Sequence, residues 1–460
     1  MYYKTVKEIS EALNFKFLGK EDIVPKNIVI DSRLAEEGSL FVVFKGKNTN
    51  GVYYIQNAIE NGAKVIVAED FPEVIDDNIA YIKANGYEFL EKLACAIRKW
   101  FKGEVIAITG SYGKTSTKDL LFDLLSPFYS VVVTHENQNN ELGVPLTLSQ
   151  ITEHTQIVIL EMGMTSIGDI DYLSKIARPT KAIITSIGTV HTEHLGDKTK
   201  IAQAKSELIP YLDSQSVLVI RERDYEILLP YITEYTGNLV VVGKNCYFKD
   251  EVLTNKGSEF TYVDKKNSVR MYLPHLGVHY IENALLALSI AKYFNISLDD
   301  LTKALSGSRV HSSNRMESLF LKQGNIVYND SYNANPESMI ATLKVLSMHK
   351  PKRTIAILGE MYELGKYEKS GHYIVGEMVE ELQIDILITV GDLGKLISEG
   401  ARSKGMSHQA IFECINVMEV SEIFKKIYQP DTVTLVKGSR GIALEQFCHL
   451  VDDLKLEGVN

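Results

Sequence analysis

The stretch VIAITGSYGKTST, Val105 to Thr117, decides how this chain is read. It opens with an uninterrupted apolar run rich in β-branched residues, which predicts a strand buried on both faces. A turn holding Gly110 and Gly113 follows, and Lys114 and Thr115 then begin the helix-like segment KTSTKDLLFDLL. Strand, glycine turn, Lys-Thr and helix together make a phosphate-binding loop. The two glycines let backbone N–H groups turn inward toward an anion, and the helix N-terminus adds partial positive charge. Lys114 is expected to neutralise the outer phosphates and Thr115 to reach a magnesium ion. The spacing is G-x-x-G-K-T; the longer common pattern needs a glycine where Ile108 stands. The alternative for the stretch is an ordinary turn between strand and helix with an exposed lysine.

Similar apolar runs recur on both sides. NIVIDSR, SLFVVFKG, KVIVAED and IAYIKA predict short strands in a small α/β unit over the first hundred or so residues, with helices in VYYIQNAIENGA and GYEFLEKLACAIRKWF. QIVILEMG and KAIITSIG continue the central series, VLVIRE and NLVVVGKN extend it, and HYIENALLALSIAKYFNIS predicts an apolar helix ending near Asn295. TIAILGEM, ILITVGDLG and VTLVKGSRG predict a third set of buried strands. Strands alternating with helices imply doubly wound parallel sheets. The expected boundaries are 1–102, 103–313 and 314–460.

With 460 residues, 45% hydrophobic and 23% charged, the composition is that of a multidomain globular enzyme. A formal net charge of −10 disfavours a nucleic-acid surface. Cys95, Cys246, Cys414 and Cys448 are widely spaced, which argues against disulfides and a cysteine zinc site and suits a reducing compartment. The N-terminus MYYKTVKEIS lacks a signal-peptide core and no apolar run approaches a membrane span, so a cytoplasmic protein without membrane contact is expected.

In open parallel sheets, ligands bind outside the carboxyl ends of the strands. The first central strand ends in the phosphate loop, the second delivers Glu161 and the third leads to His191 in TVHTEHLG. These residues are expected to converge, with Glu161 and His191 as ligands for a divalent ion. A solvated strand-end glutamate and a loop-surface histidine are the alternatives. THENQNNELGVPLTL, 134–148, is dense in asparagine and is read as a substrate-clasping or connecting loop, too poor in apolar residues for a core element.

At this point the sequence resembles a known family. TGSYGKTST looks like the nucleotide loop of the Mur ligases, ATP-dependent enzymes that build the peptide of bacterial peptidoglycan and are related to the folylpolyglutamate synthetases. The stretches DSRLAEEGSLFVVFKG, NQNNELGVPLTL, EMGMTSIGDIDYLSKIARP, NDSYNANPESM, GEMYELG and LVKGSRG follow in family order over nearly the whole chain. They resemble most the branch that adds D-alanyl-D-alanine to the UDP-N-acetylmuramoyl tripeptide. The resemblance implies a small α/β N-terminal domain for the UDP end, a central P-loop domain and a C-terminal Rossmann-like domain that receives the dipeptide. It implies ATP and magnesium, with two ions, as cofactors. Lys114, Lys205 and His191 are implied as catalytic residues. Gly110, Ser111, Gly113, Lys114, Thr115, Ser116, Asn283, Arg315 and Asp330 are implied nucleotide contacts, Asn283 at adenine and Asp330 at ribose. The implied metal ligands are Thr115, Glu161, His191 and a carbamylated Lys205. Ser32, Arg33, Asn140, Asn333, Asn335, Lys437, Ser439 and Arg440 are implied substrate contacts. A monomer is the default expectation.

The sequence departs from the family pattern in places. An Asp-Gly-His-x-Phe run is replaced by Asn50, Gly51, Val52, Tyr53 and Tyr54; Ser206 precedes Glu207 where glycine is common; and His194 is additional. The first change leaves open a related ligase with a different acid and amino-acid substrate, as in folylpolyglutamate synthesis.

Overall fold

The computed structural model describes residues 4–46, 50–72, 75–190, 192–309 and 311–453. Among them lie three sheets of five, nine and six strands, one in each of three successive α/β domains. Each sheet is mostly parallel, as the uninterrupted apolar runs require.

In the first sheet the strands Ile28–Val29, Leu40–Val42, Val65–Ala68 and Ala80–Lys83 pair in parallel. Two elements not read from the sequence complete the unit. The edge strand Lys16–Gly19 runs antiparallel to Ala80–Lys83, and helix Val6–Leu13 starts in a capping box between Thr5 and Glu8. Helix Gly86–Trp100 is capped by Asn85, whose side chain accepts from the Tyr87 and Glu88 N–H groups, and it buries Phe89, Leu90, Leu93, Ala94 and Ile97. At its far end Arg98 donates from Nε to the Ala177 carbonyl (2.6 Å) and from Nη2 to that of Arg178 (2.7 Å). This satisfies the open end of a helix in the middle domain and ties the two domains together.

The middle sheet runs Val131–Val133, Ile157–Glu161, Glu104–Thr109, Lys181–Ile184, Val217–Arg221 and Asn238–Val242, all parallel. It continues through antiparallel strands Cys246–Thr254, Gly257–Asp264 and Ser268–Leu273, which the sequence reading passed over. Helix Val278–Ala291 lies against helix Lys114–Leu125, so a residue late in the domain is carried beside the phosphate loop. It ends at Ala291, four residues short of the expected Asn295. The expectation that 134–148 is too polar for the core holds only for its first half. Gly143–Ser149 is a helix buried at every position, because it is wedged between the sheet and neighbouring helices.

The third sheet holds Ile326–Asp330, Thr432–Lys437, Arg353–Gly359, Ile386–Val390 and Ile411–Cys414 in parallel, with Glu317–Phe320 antiparallel at one edge. Asp330 and Lys437 are paired in register at the carboxyl ends of their strands. Those ends face the phosphate loop of the middle sheet across a shared cleft. All four cysteines are free thiols. No helix among the described residues is long and apolar enough to cross a membrane.

Candidate active site

The loop between strand Glu104–Thr109 and helix Lys114–Leu125 is shaped by its glycines and by the next strand over. Gly110 has φ +148° and Gly113 φ +82°; a Cβ at Gly110 would stand 1.9 Å from Thr185 Oγ1, and one at Gly113 2.8 Å from Asn283 Oδ1. The Tyr112 carbonyl accepts from the Thr185 (2.6 Å) and Ser186 (2.9 Å) hydroxyls, and Ser111 Oγ accepts from the Gly188 N–H (2.8 Å). The loop is therefore held open as an anion cradle at a helix N-terminus. Lys114 curls back to donate to the Gly110 carbonyl (2.7 Å). Burial lowers its pKa, opposed by the nearby Glu161 carboxylate.

Glu161 ends its strand fully enclosed, at 2% exposure. Oε1 accepts from Asn139 Nδ2 (2.8 Å), and its backbone N–H donates to Thr134 Oγ1 (3.0 Å). Oε2 is buried without a hydrogen-bond partner among the described residues. A buried carboxylate oxygen with no donor is costly unless a ligand completes it. An oriented carboxylate beside the Thr115 hydroxyl and a phosphate cradle offers the oxygen donors a hard divalent cation takes, so Glu161 and Thr115 fit magnesium. His191 lies outside the described residues.

Lys205 sits near the end of helix Lys198–Ser206, 2% exposed, with no hydrogen bond or ion pair to any described residue. Burial, and then the charge of Lys114, lowers its pKa well below the usual lysine range. Two buried amines facing one cavity call for an anion between them.

The opposite wall comes from the third domain. Lys437 Nζ donates to Asp330 Oδ2 (2.6 Å) and to the Asn333 carbonyl (2.9 Å), and Asp330 Oδ1 accepts from the Met316 N–H (3.2 Å). The Arg315 guanidinium lies over the Tyr332 ring at 4.1 Å. The two walls enclose a cleft of about 560 Å³.

This cleft brings together Ser111, Gly113, Lys114, Thr115, Ser116, Asn140, Glu161, Lys205, Asn283, Arg315, Asp330, Asn333, Asn335 and Lys437. Two of these also brace the local fold: Asn140 Oδ1 accepts from the Gly143 N–H (3.0 Å), and Asn335 caps helix Pro336–Ser347. Gly110 lies behind the loop, against Thr185. Arg440 lines an adjoining groove with Thr115, Arg315 and Tyr332. Ser439 is buried, its Oγ accepting from the Tyr362 N–H (2.9 Å). Ser32 and Arg33 stand apart in the first domain, where Arg33 is paired with Asp31 at 2.6 Å. Sequence reasoning did not single out Asn139, Tyr332 or His279, which also line the cleft. Asn139 was within the asparagine-rich run, and Tyr332 within DSYNANP. His279 carried no motif signal; burial first, then the charges of Lys437 and Arg221, push its pKa down to about 3.

A phosphate cradle on one parallel sheet, facing charged strand ends of a second, defines a nucleotide-dependent group-transfer enzyme built from three α/β domains. Comparison with known families makes that more specific. Residues 25–97 match the Mur ligase family catalytic domain, 108–291 the Mur ligase middle domain and 314–440 the Mur ligase glutamate ligase domain. The chain belongs to the Mur ligase family. It is 32% identical over 458 residues to UDP-N-acetylmuramoyl-tripeptide--D-alanyl-D-alanine ligase of Bacillus subtilis strain 168, covering 99% of both chains. Among solved structures it is similar to MurF from Acinetobacter baumannii, with TM-score 0.85, 26% identity and 98% of each chain covered. It is also similar to MurF ligase from Thermotoga maritima in complex with ADP, with TM-score 0.80, 25% identity, 96% of this chain and 100% of that one covered.

Proposed function

We propose that this chain is the ATP-dependent amide ligase that joins D-alanyl-D-alanine to the UDP-N-acetylmuramoyl tripeptide, a step of peptidoglycan precursor synthesis. The observation that carries the reading is the cleft itself, where Lys114, Glu161 and Lys205 of the middle domain face Asp330, Asn333 and Lys437 of the third. The whole-length likeness to ligases of that name supports these substrates over the folylpolyglutamate type.

Forming an amide from a carboxylate needs a leaving group. The γ-phosphoryl of ATP passes to the terminal carboxylate of the tripeptide, giving an acyl phosphate. The free amine of D-alanyl-D-alanine then attacks the acyl carbon, and phosphate departs. The chain's task is to bring two anions together in line and to keep water away. Lys114 and the loop N–H groups, with Ser111 and Ser116, offset the charge of the triphosphate. Asn283, Arg315 and Asp330 hold the nucleoside end. Glu161, Thr115 and His191 would hold magnesium, and Lys205, as a carbamate, would support a second ion; bound there, such cations would lower the repulsion between triphosphate and carboxylate.

Residues 1–102 take the UDP end through Ser32 and Arg33, 103–313 form the ATPase core, and 314–460 bring the dipeptide, with Asn140, Asn333, Asn335, Lys437, Ser439 and Arg440 along the substrate path. Contacts between the middle and third domains support a closed reaction chamber: Thr189 Oγ1 donates to Glu337 (3.1 Å) and Thr192 Oγ1 to the Leu364 carbonyl (2.7 Å). The enzyme acts as a monomer in the cytoplasm.

Phosphate release from ATP tests the reading. It is expected only when the UDP-muramyl tripeptide and D-alanyl-D-alanine are both present. Release with folate and glutamate instead, or without any amine acceptor, would overturn it.

A further inference from the structure

Arg221 ends strand Val217–Arg221 in the interior of the middle domain, 4% exposed, next to the helix that carries Asn283. Its Nη2 donates to Asn283 Oδ1 at 2.7 Å, and its Nη1 meets the Glu282 carboxylate. Glu282 is shared with Arg223, 3.3 Å away. The Arg221 Nε is buried with no partner among the described residues. A guanidinium only donates, so the atom of Asn283 that faces it must be the amide oxygen. The same oxygen is the atom closest to where a Gly113 side chain would stand, at 2.8 Å. The guanidinium holds Oδ1, and the back of the phosphate loop lies close against the same amide. The Nδ2 of Asn283 donates to no described residue, and Asn283 lines the cleft.

We propose that Arg221 is a positioning residue that locks the Asn283 amide with its NH₂ toward the nucleotide, so that the site takes the base through a hydrogen-bond acceptor on it. This rests on the ATP reading above and assigns a direction to one contact of it. Without Arg221 the amide is free to rotate by half a turn and to present its oxygen, which repels the acceptors of a purine edge. An arginine whose Nε stays unpaired in the interior is poorly explained by ion pairing alone. Its fixed fork explains the choice, because one guanidinium spans the Glu282 carboxylate and the Asn283 amide together.

The test is calorimetric binding of ADP and of inorganic tripolyphosphate to the full chain. Arg221→Met keeps the volume and removes the donor; Asn283→Asp keeps the pairing with Arg221 and replaces the NH₂ by an acceptor. Arg221→Met is expected to weaken ADP binding by about tenfold while tripolyphosphate binds as to wild type, with Arg221→Lys closer to wild type; Asn283→Asp is expected to weaken ADP binding more than tripolyphosphate binding, its carboxylate also standing behind the phosphate loop. ADP binding unchanged in either Arg221→Met or Asn283→Asp would overturn the proposal. So would a parallel loss of ADP and tripolyphosphate, which would make Arg221 a brace of the phosphate loop. Should Arg221→Met fail to fold, Arg221→Gln decides: ADP binding weakened with tripolyphosphate binding kept supports the proposal, and both kept or both lost overturns it. Wild-type protein that binds tripolyphosphate but gains nothing from the nucleoside of ADP would sink the ATP reading itself, a distinct result.

Discussion

Lys437 and Asp330 form a buried ion pair across two adjacent parallel strands, Nζ to Oδ2 2.6 Å, with 4% and 12% of the side chains exposed. The pair ties LVKGSRG to NDSYNANP at the strand ends that face the nucleotide loop. A buried charge left without its partner costs about 3–5 kcal/mol. Lys437→Met is therefore expected to lower the melting temperature of the third domain by several degrees in differential scanning calorimetry. Asp330→Asn combined with Lys437→Met should recover part of the loss, because no lone charge remains. Full additivity of the two substitutions would show that the pair is not coupled.

Lys114 stands with its amine turned over the phosphate loop onto the Gly110 carbonyl, and its role ends with that loop. Lys114→Ala removes a charge from the place where phosphoryl charge develops and should slow turnover by at least about a hundredfold. Helix Lys114–Leu125 packs through Leu120, Leu121, Leu124 and Leu125 further along, so the far-ultraviolet circular dichroism spectrum should not change. Near wild-type phosphate release from the variant would remove Lys114 from the chemistry.

Lys205 shares the cleft with Lys114, and burial first, then the charge of Lys114, lowers its pKa well below the ordinary range. A neutral amine is the form that reacts with carbon dioxide, so the site favours the carbamate the proposal needs. Lys205→Ala is expected to lose activity and to regain part of it in millimolar formate or acetate, which place a carboxylate in the vacated space. Equal activity of Lys205→Ala and wild type without added acid would exclude the carbamate.

The fold was legible where one strand's burial follows from its own residues. Runs such as VIAI and IVIL are apolar at every position and lie between two layers of helix, so they needed no partner to be recognised. Strand Cys246–Thr254 was not legible, because it is exposed at most positions and its pairing is fixed by a neighbour hairpin rather than by a core face. Helix Gly143–Ser149 carries glycine and proline and follows an asparagine run, so local propensity argued for a loop; tertiary packing overrode it. In the site, the loop glycines and Glu161 were visible as strand-end residues. Arg221 was not, since a polar residue closing an apolar strand is ordinarily solvated. It is buried here by a helix that begins 57 residues later, at Val278, a relation no local pattern records.

That same helix leads to a pH dependence. His275 precedes it, 5% exposed, its ring stacked on Tyr280 (centroids 4.9 Å, 13°) and Nε2 within 3.0 Å of Ser308 Oγ. Burial first, then the charge of His311, pushes its pKa down from 6.5 to about 4. The unfolded chain takes up this proton as pH falls through 6.5, while the folded chain resists until about 4. Stability from this residue is therefore complete above pH 6.5 and is lost progressively between 6.5 and 4, by roughly 3 kcal/mol at the acid end. His279, held down to about 3 by burial and by Lys437 and Arg221, adds to the loss in the same direction. Urea titrations at pH 7 and pH 5 should show wild type weakening on acidification. His275→Gln, which keeps a hydrogen-bonding side chain for Ser308 but cannot titrate, should show a shallower decline between the two pH values even if it starts less stable. A slope identical to wild type would mean that His275 takes up its proton over the same pH range in the folded and unfolded chains, and that burial does not hold its pKa down.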